Sequence, residues 1–367
     1  MEVKMEARKR KKNIVIVSIA VVLAVVAAWI ALRGLRTSTF DQDYHIEDIA
    51  SVCRVYISDK ENNNVLLERN DADSTWLVNG QYEASQPVVD LMLETLHTMR
   101  IRQQVNKNAV ANVIKRISTS SIKVEVYQRK PFINWFGGRL QLFPRTKLTT
   151  TYFIGFETQD QMASHVYRKG DKVPYIIHIP GFRGFLAPRF PTAATAWRSH
   201  RIVAADIKHL AKVELEIPAS PQESFAIYRE GDDFRMELTS PRRPVEGFDT
   251  IRVAQLLSSF TNLNFDEYVS AVPNANPDSS LAKAPRTILR ITDTDGNTHE
   301  VKTYIKYLNP DDSRAMPDES MREMFDVNRL YAIVDDTDTV LIQYFVFDNI
   351  LQPASYFMGK APSSFVQ

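Results

Sequence analysis

The chain has 367 residues, with 45 Lys and Arg against 44 Asp and Glu, and a formal net charge of +1. So even a balance gives no broad basic field of the kind that holds nucleic acid. The single cysteine, Cys53, excludes an intrachain disulfide.

Taken from the N-terminus, residues 1–12 form a basic tail ending in Arg8, Lys9, Arg10, Lys11 and Lys12. Residues 13–32, NIVIVSIAVVLAVVAAWIAL, then run for 20 positions without a formal charge. At about 1.5 Å per residue such a helix is about 30 Å long, the thickness of a bilayer's hydrocarbon core. The expectation is a single-pass transmembrane helix in the inner membrane, with Trp29 at the outer interface. The basic residues lie before the span, which puts the N-terminus in the cytoplasm and the C-terminal region in the periplasm. A cleaved signal peptide would have a shorter apolar region ending at small residues, whereas Trp29 and Leu32 interrupt this one. Residues 33–45 read as a juxtamembrane linker.

The remainder reads as one unit used twice, 46–187 and 204–357, joined by 188–203 and followed by a tail, 358–367. The first copy opens with IEDIASVCRVYIS (46–58), VLLER (65–69) and a strand from Trp76; the second with DIKHLAKVELEIP (206–218), FAIYRE (225–230) and a strand from Phe234. Cys53 sits in the alternating run VCRVYI and reads as a small buried strand residue. Val89, Met92, Leu93, Leu96 and Met99 fall at helical spacing, and Val253, Leu256, Leu257, Phe260 and Leu263 repeat them 164 positions later. Such stripes predict a helix laid on a sheet. The first copy inserts a further helix over about 107–118. Strands follow at 122–128 and 152–156, and at 287–293 and 301–307. The second pair encloses Asp295-Gly296, which predicts a type I′ turn. Closing hairpins are expected at 165–169 with 175–179, and at 329–334 with 340–347, placing Tyr167 and Tyr331 at the same offset of 164. Residues 270–285 read as an exposed loop. The fold class expected is α+β: an N-terminal transmembrane helix followed by two similar sheet-plus-helix domains.

The element order, with Trp76, PGFRGFLAPRF (180–190), Trp197-Arg198 and IQYFVFDNIL (342–351), resembles a bacterial domain-of-unknown-function family numbered 4340. The resemblance covers about residues 13–358. It implies an N-terminal membrane span, a duplicated α+β extracytoplasmic part and a role beside an envelope or ABC-type transport system. It carries no catalytic residues.

Local signatures of chemistry are few. His45, His97, His165, His178, His200, His209 and His299 show no HxH, HxxxH or HExxH spacing. The acidic groups Asp293/Asp295, Asp311/Asp312 and Asp335/Asp336/Asp338 read as turn residues rather than calcium ligands. Ser120-x-x-Lys123 and Ser280-x-x-Lys283 match a serine–lysine pattern without its companion motifs. No nucleophile elbow or phosphate-cradling glycine loop occurs, so no catalytic, cofactor-binding or metal-binding residue is assigned. One insertion stands out: RKPFINWFGGRLQLFPRTK (129–147) interleaves large aromatics with five basic residues and holds no acidic one. Phe132, Trp135, Phe136, Arg139, Phe143 and Arg145 are the candidate contacts for a protein partner or a lipid surface. The alternative is that these aromatics fold back on their own domain. The functional expectation is a non-enzymatic, membrane-anchored binding or scaffolding protein that takes no cofactor and no nucleic acid. Its partners would be the bilayer, through 13–32, and an envelope protein. The competing expectation is an envelope hydrolase or transferase built from distant residues.

Overall fold

The computed structural model describes residues 18–19, 21–25, 44–135, 140–272, 275, 277–307 and 325–359, without the side chains of 133–135 and 140–141. Strands dominate. In chain order they are β1 (Val52–Ser58), β2 (Asn64–Arg69), β3 (Trp76–Val78), β4 (Tyr82–Glu83), β5 (Arg100–Gln104), β6 (Ile122–Trp135), β7 (Leu140–Glu157), β8 (Ser164–Arg168), β9 (Tyr175–His178), β10 (Arg201–Val203) and β11 (Leu210–Glu216). There follow β12 (Phe225–Glu230), β13 (Asp233–Thr239), β14 (Arg242–Val245), β15 (Leu263–Asn264), β16 (Glu267–Tyr268), β17 (Thr287–Asp293), β18 (Thr298–Tyr307), β19 (Phe325–Val334) and β20 (Asp338–Gln343). The α-helices are α1 (Gln86–Thr98), α2 (Val110–Ser120), α3 (Thr250–Ser258), and the single turns α4 (Asp278–Leu281), α5 (Tyr344–Phe347) and α6 (Ala354–Phe357).

Two large sheets result, each of nine strands. Their orders are β4-β3-β2-β1-β6-β7-β8-β9-β5 and β14-β13-β12-β11-β17-β18-β19-β20-β16. Taken strand by strand the two orders coincide, and every pairing resolved within them is antiparallel. The fold is therefore mostly antiparallel β, which corrects the α+β expectation. The localisation is corrected too. Among the described residues no helix is long and apolar enough to cross a membrane, so the single-pass helix over 13–32 and the periplasmic placement are withdrawn. Of that stretch only 18–19 and 21–25 lie within the described residues.

The described residues fall into two compact units, neither continuous in sequence. One draws on Met1–Ser51, Leu93–Ser121 and Tyr152–Arg189. Its α2 buries Val113 and Ile117 beside Ala163 and Ile176. The expected extra helix is this element, preceded by a 3-10 turn at Lys107–Ala109. Tyr44, assigned to the linker by sequence, is fully buried. Its hydroxyl donates to Asp171 Oδ2 at 2.5 Å, and its carbonyl accepts from the Tyr152 hydroxyl.

The other unit draws on Val52–Met92, Ile122–Thr151 and Phe190–Gln367. In β1 the residues Cys53, Val55 and Ile57 are buried in period-two alternation, and Val52, across a register shift, is buried as well. In β11 Val213 and Leu215 alternate in the same way, Leu210 is buried across a register shift, and the three pack with Val253, Leu256 and Leu257 of α3. Each such side chain contributes about 1.5–3 kcal/mol by leaving water. Asp249 caps α3, accepting from Ile251 N at 3.0 Å and Arg252 N at 3.1 Å.

Three local expectations are corrected. Asp295-Gly296 is not a type I′ turn, because only Gly296 has positive φ (88°). The Asp293 carboxylate accepts from the amides of Asp295 and Asn297, an Asx-type arrangement that organises the turn. The two-residue I′ geometry occurs instead at Asp335 and Asp336, with φ of 51° and 53°. Residues 344–347 are helical rather than strand: the pairing with β19 ends at Gln343 opposite Arg329, and the backbone from Tyr344 satisfies itself in a helical turn. Within the joining segment 188–203, Phe190 and Trp197 are fully buried. Within 270–285, α4 buries Ser280.

Candidate functional site

β6 and β7 are much longer than their neighbours, at 14 and 18 residues. Along β6, Val124, Val126 and Gln128 are buried in alternation, and the alternation stops there: Arg129 and Phe132 are exposed. On the returning arm the seven consecutive residues Leu142 to Leu148 are all exposed. A strand exposed on both faces has no core beneath it, so the two arms run past the sheet as a free ribbon. Alone, a two-stranded ribbon is marginal in water; this one is the continuation of strands already paired in a sheet. Thr149 Oγ1 donates to Val126 O at 3.2 Å, and Arg129 Nη2 reaches both Asp71 oxygens at 2.6 and 2.8 Å.

Of the six candidate contacts, three are resolved and all lie on this ribbon. Phe132 is 66% exposed and Phe143 62%, so these two do not fold back on their own domain. Arg145 stacks on the Phe132 ring at 4.4 Å from its centroid, which holds a cation and an apolar surface in one patch. Trp135 belongs to β6 with its side chain outside the described residues, and Phe136 and Arg139 lie outside them altogether.

Several other charged groups are satisfied internally. On the second sheet Arg290 bridges Glu216 and Glu300 at 3.2 and 2.6 Å, and Lys302 joins Glu300 to Asp336. Glu237 accepts from Tyr228, Arg235 and Arg242. Arg198, only 12% exposed at its side chain, makes a two-point contact with Asp338 at 2.6 and 3.1 Å and lies between the rings of Tyr82 and Tyr268. Burial, the largest influence, pushes the Tyr268 phenol up to about 12 against the opposing charge of Arg198. Asp335 accepts from Glu300 N and faces His299 Nδ1 at 2.9 Å. The Asp311/Asp312 pair lies outside the described residues. In the serine–lysine patterns, Lys123 pairs with Glu125, while Ser280 Oγ accepts from Tyr307 N and Lys283 lies over the Tyr307 ring. Among the described residues no group of three His, Cys, Asp or Glu side chains could hold a metal ion. Cys53 is buried, with Sγ 3.7 Å from both Tyr127 O and Thr146 Oγ1.

Three of the histidines bear on stability. His165 stacks on Phe156 at 4.2 Å and His200 on Phe265 at 4.8 Å. Burial, the largest influence on each, lowers both below the ordinary histidine value of 6.5. Below 6.5 the unfolded chain therefore takes up protons that the folded chain does not, and stability falls with acidification. His299 runs oppositely: the hydrogen bond to Asp335 raises it, so its stabilisation holds below 6.5 and fades as pH rises through the raised value. Denaturant unfolding at pH 7.5 and 5.0 checks this. The variant His165→Phe/His200→Phe will lose less stability between the two pH values than the parent, and an equal loss would contradict the assignment.

Compared with known proteins, the chain matches no family model, no curated protein and no solved structure.

Proposed function

We propose that this protein is a non-enzymatic binding or scaffolding component that docks through its β6–β7 ribbon onto an acidic, hollowed face of a partner protein. The observation that carries this reading is the exposure of Phe132 and Phe143 on arms that leave the sheet. Large aromatics in water cost free energy that a partner's pocket recovers, and such residues with arginine dominate the centres of protein interfaces. The charge pattern selects the partner: residues 129–147 hold five cations and no acid in a chain of net charge +1. Complementary charge sets the orientation of approach and speeds encounter.

Replacing residues 132–143 by a two-residue Asn-Gly turn tests the reading. The shortened chain will unfold within about 1 kcal/mol of the parent, because the described large apolar side chains that are removed, Phe132, Leu142 and Phe143, are all exposed. In-cell crosslinking will lose its partner adduct. Loss of the cooperative unfolding transition would assign the ribbon to the core instead.

A further inference from the structure

A cavity of about 560 Å³ opens beside the second sheet, inside the second unit. Its walls include Ile217, Ile305 and Leu351, and among the described residues its charged lining groups are Lys283 and Arg286. Its volume is that of a small-molecule site, for which apolar walls with a few convergent polar groups are the usual form. Both cations are held in place. Lys283 Nζ rests 3.5 Å from the centroid of Tyr307, which also lines the cavity. Arg286 donates to the Tyr344 hydroxyl at 3.1 Å, and its backbone N–H donates to Thr303 O at 2.7 Å. Among the described residues no carboxylate lines the cavity or pairs with either cation. Asp326, next to Phe325 in the wall, is itself taken by Lys306 at 2.8 Å.

From this arrangement we infer that the cavity binds an amphipathic anion of the fatty-carboxylate class, with its chain along Ile217, Ile305 and Leu351 and its head on Lys283 and Arg286. The charge complementarity decides the class. An apolar hollow edged by two cations that meet no carboxylate among the described residues favours a ligand with an apolar body and one anionic end, since a guanidinium matches a carboxylate in shape as well as sign. A neutral alcohol of equal length would forgo that contact, and an amine would be repelled. The site is separate from the ribbon and does not depend on its role.

Calorimetric titration of the full chain with dodecanoate, dodecanol and dodecylamine tests the inference. Dodecanoate is expected to bind saturably at one site and at least about tenfold more tightly than either other probe, a difference of about 1.4 kcal/mol. The variant Lys283→Ala/Arg286→Gln will weaken dodecanoate about tenfold or more and leave dodecanol unchanged. Because Arg286 also holds Tyr344, a second variant is needed that leaves the cations intact. Ala219→Trp, at an exposed wall position, fills the cavity and will abolish dodecanoate binding while preserving the unfolding midpoint. Equal binding of the three probes, or binding untouched by both variants, would overturn the inference.

Discussion

Trp197→Ala will lower the unfolding free energy by about 3–5 kcal/mol, the range for emptying a fully buried large aromatic site. Trp197 is completely buried, and its Nε1 donates to Pro191 O at 2.8 Å. Its carbonyl accepts from Ser85 N at 2.7 Å, the neighbouring Arg198 bridges Ala84, and Ser199 N donates to Glu83 O at 2.8 Å. Residues 197–199 thus run alongside the chain just after β4, and the indole anchors that attachment from within. Truncation removes the ring's packing, leaves a cavity and strands the Pro191 carbonyl. Trp197→Phe keeps most of the volume and will cost less than half as much. Denaturant titration followed by far-ultraviolet circular dichroism measures both; an alanine cost below about 1 kcal/mol would place this side chain in an ordinary surface class.

Gly155→Val is expected to be nearly as damaging, through overpacking rather than loss. A Cβ at position 155 would stand 2.8 Å from Ile117 Cγ1 and 2.9 Å from the backbone oxygen of His165. The first contact can relax by a rotamer change in α2. The second cannot, because His165 lies in β8, hydrogen-bonded to its neighbour β9. Overpacking of this kind costs about 1–3 kcal/mol even for small additions, and the branched side chain of valine will reach the upper end. Gly155→Ala will be milder, because the smaller side chain adds less volume and loss of glycine freedom in the unfolded state offsets about 0.4–1 kcal/mol. A double-mutant cycle with Ile117→Ala separates the two contacts. It will show a favourable coupling of more than about 0.5 kcal/mol but no full rescue, because the backbone contact remains. Additive costs would show that α2 does not press on this strand.

The sequence was most legible where burial has a period. The alternation in VCRVYIS and LAKVELE marked β1 and β11, and the stripe from Val89 to Met99 marked α1, whose Val89, Met92 and Leu96 are fully buried. Elements too short to show a period escaped: β4 and β16, at the edges of the two large sheets, have two residues each, which hides how far each sheet extends. Helical stripes are long and conspicuous by comparison, and this tilted the expected class towards α+β. Other misses came from partners distant in sequence. Nothing near residues 344–347 announces that the ladder ends at Gln343, and nothing near 188–203 announces that Trp197 is enclosed. The ribbon was visible as a composition, five cations among aromatics, but whether its rings faced water or a core depends on where the sheet stops. Lys283 and Arg286 went unremarked as a pair because the apolar walls opposite them come from segments about 20 to 70 residues away.

The docking role of the ribbon is tested most directly by placing a photoreactive benzoylphenylalanine at position 132, at position 143 and, as a control, at the exposed Lys60, and irradiating intact cells. The account predicts one discrete protein adduct from 132 and 143, absent from 60 and lost when Arg145→Glu and Lys147→Glu are introduced together. Adducts equally abundant from all three positions, or none from the ribbon, would contradict it.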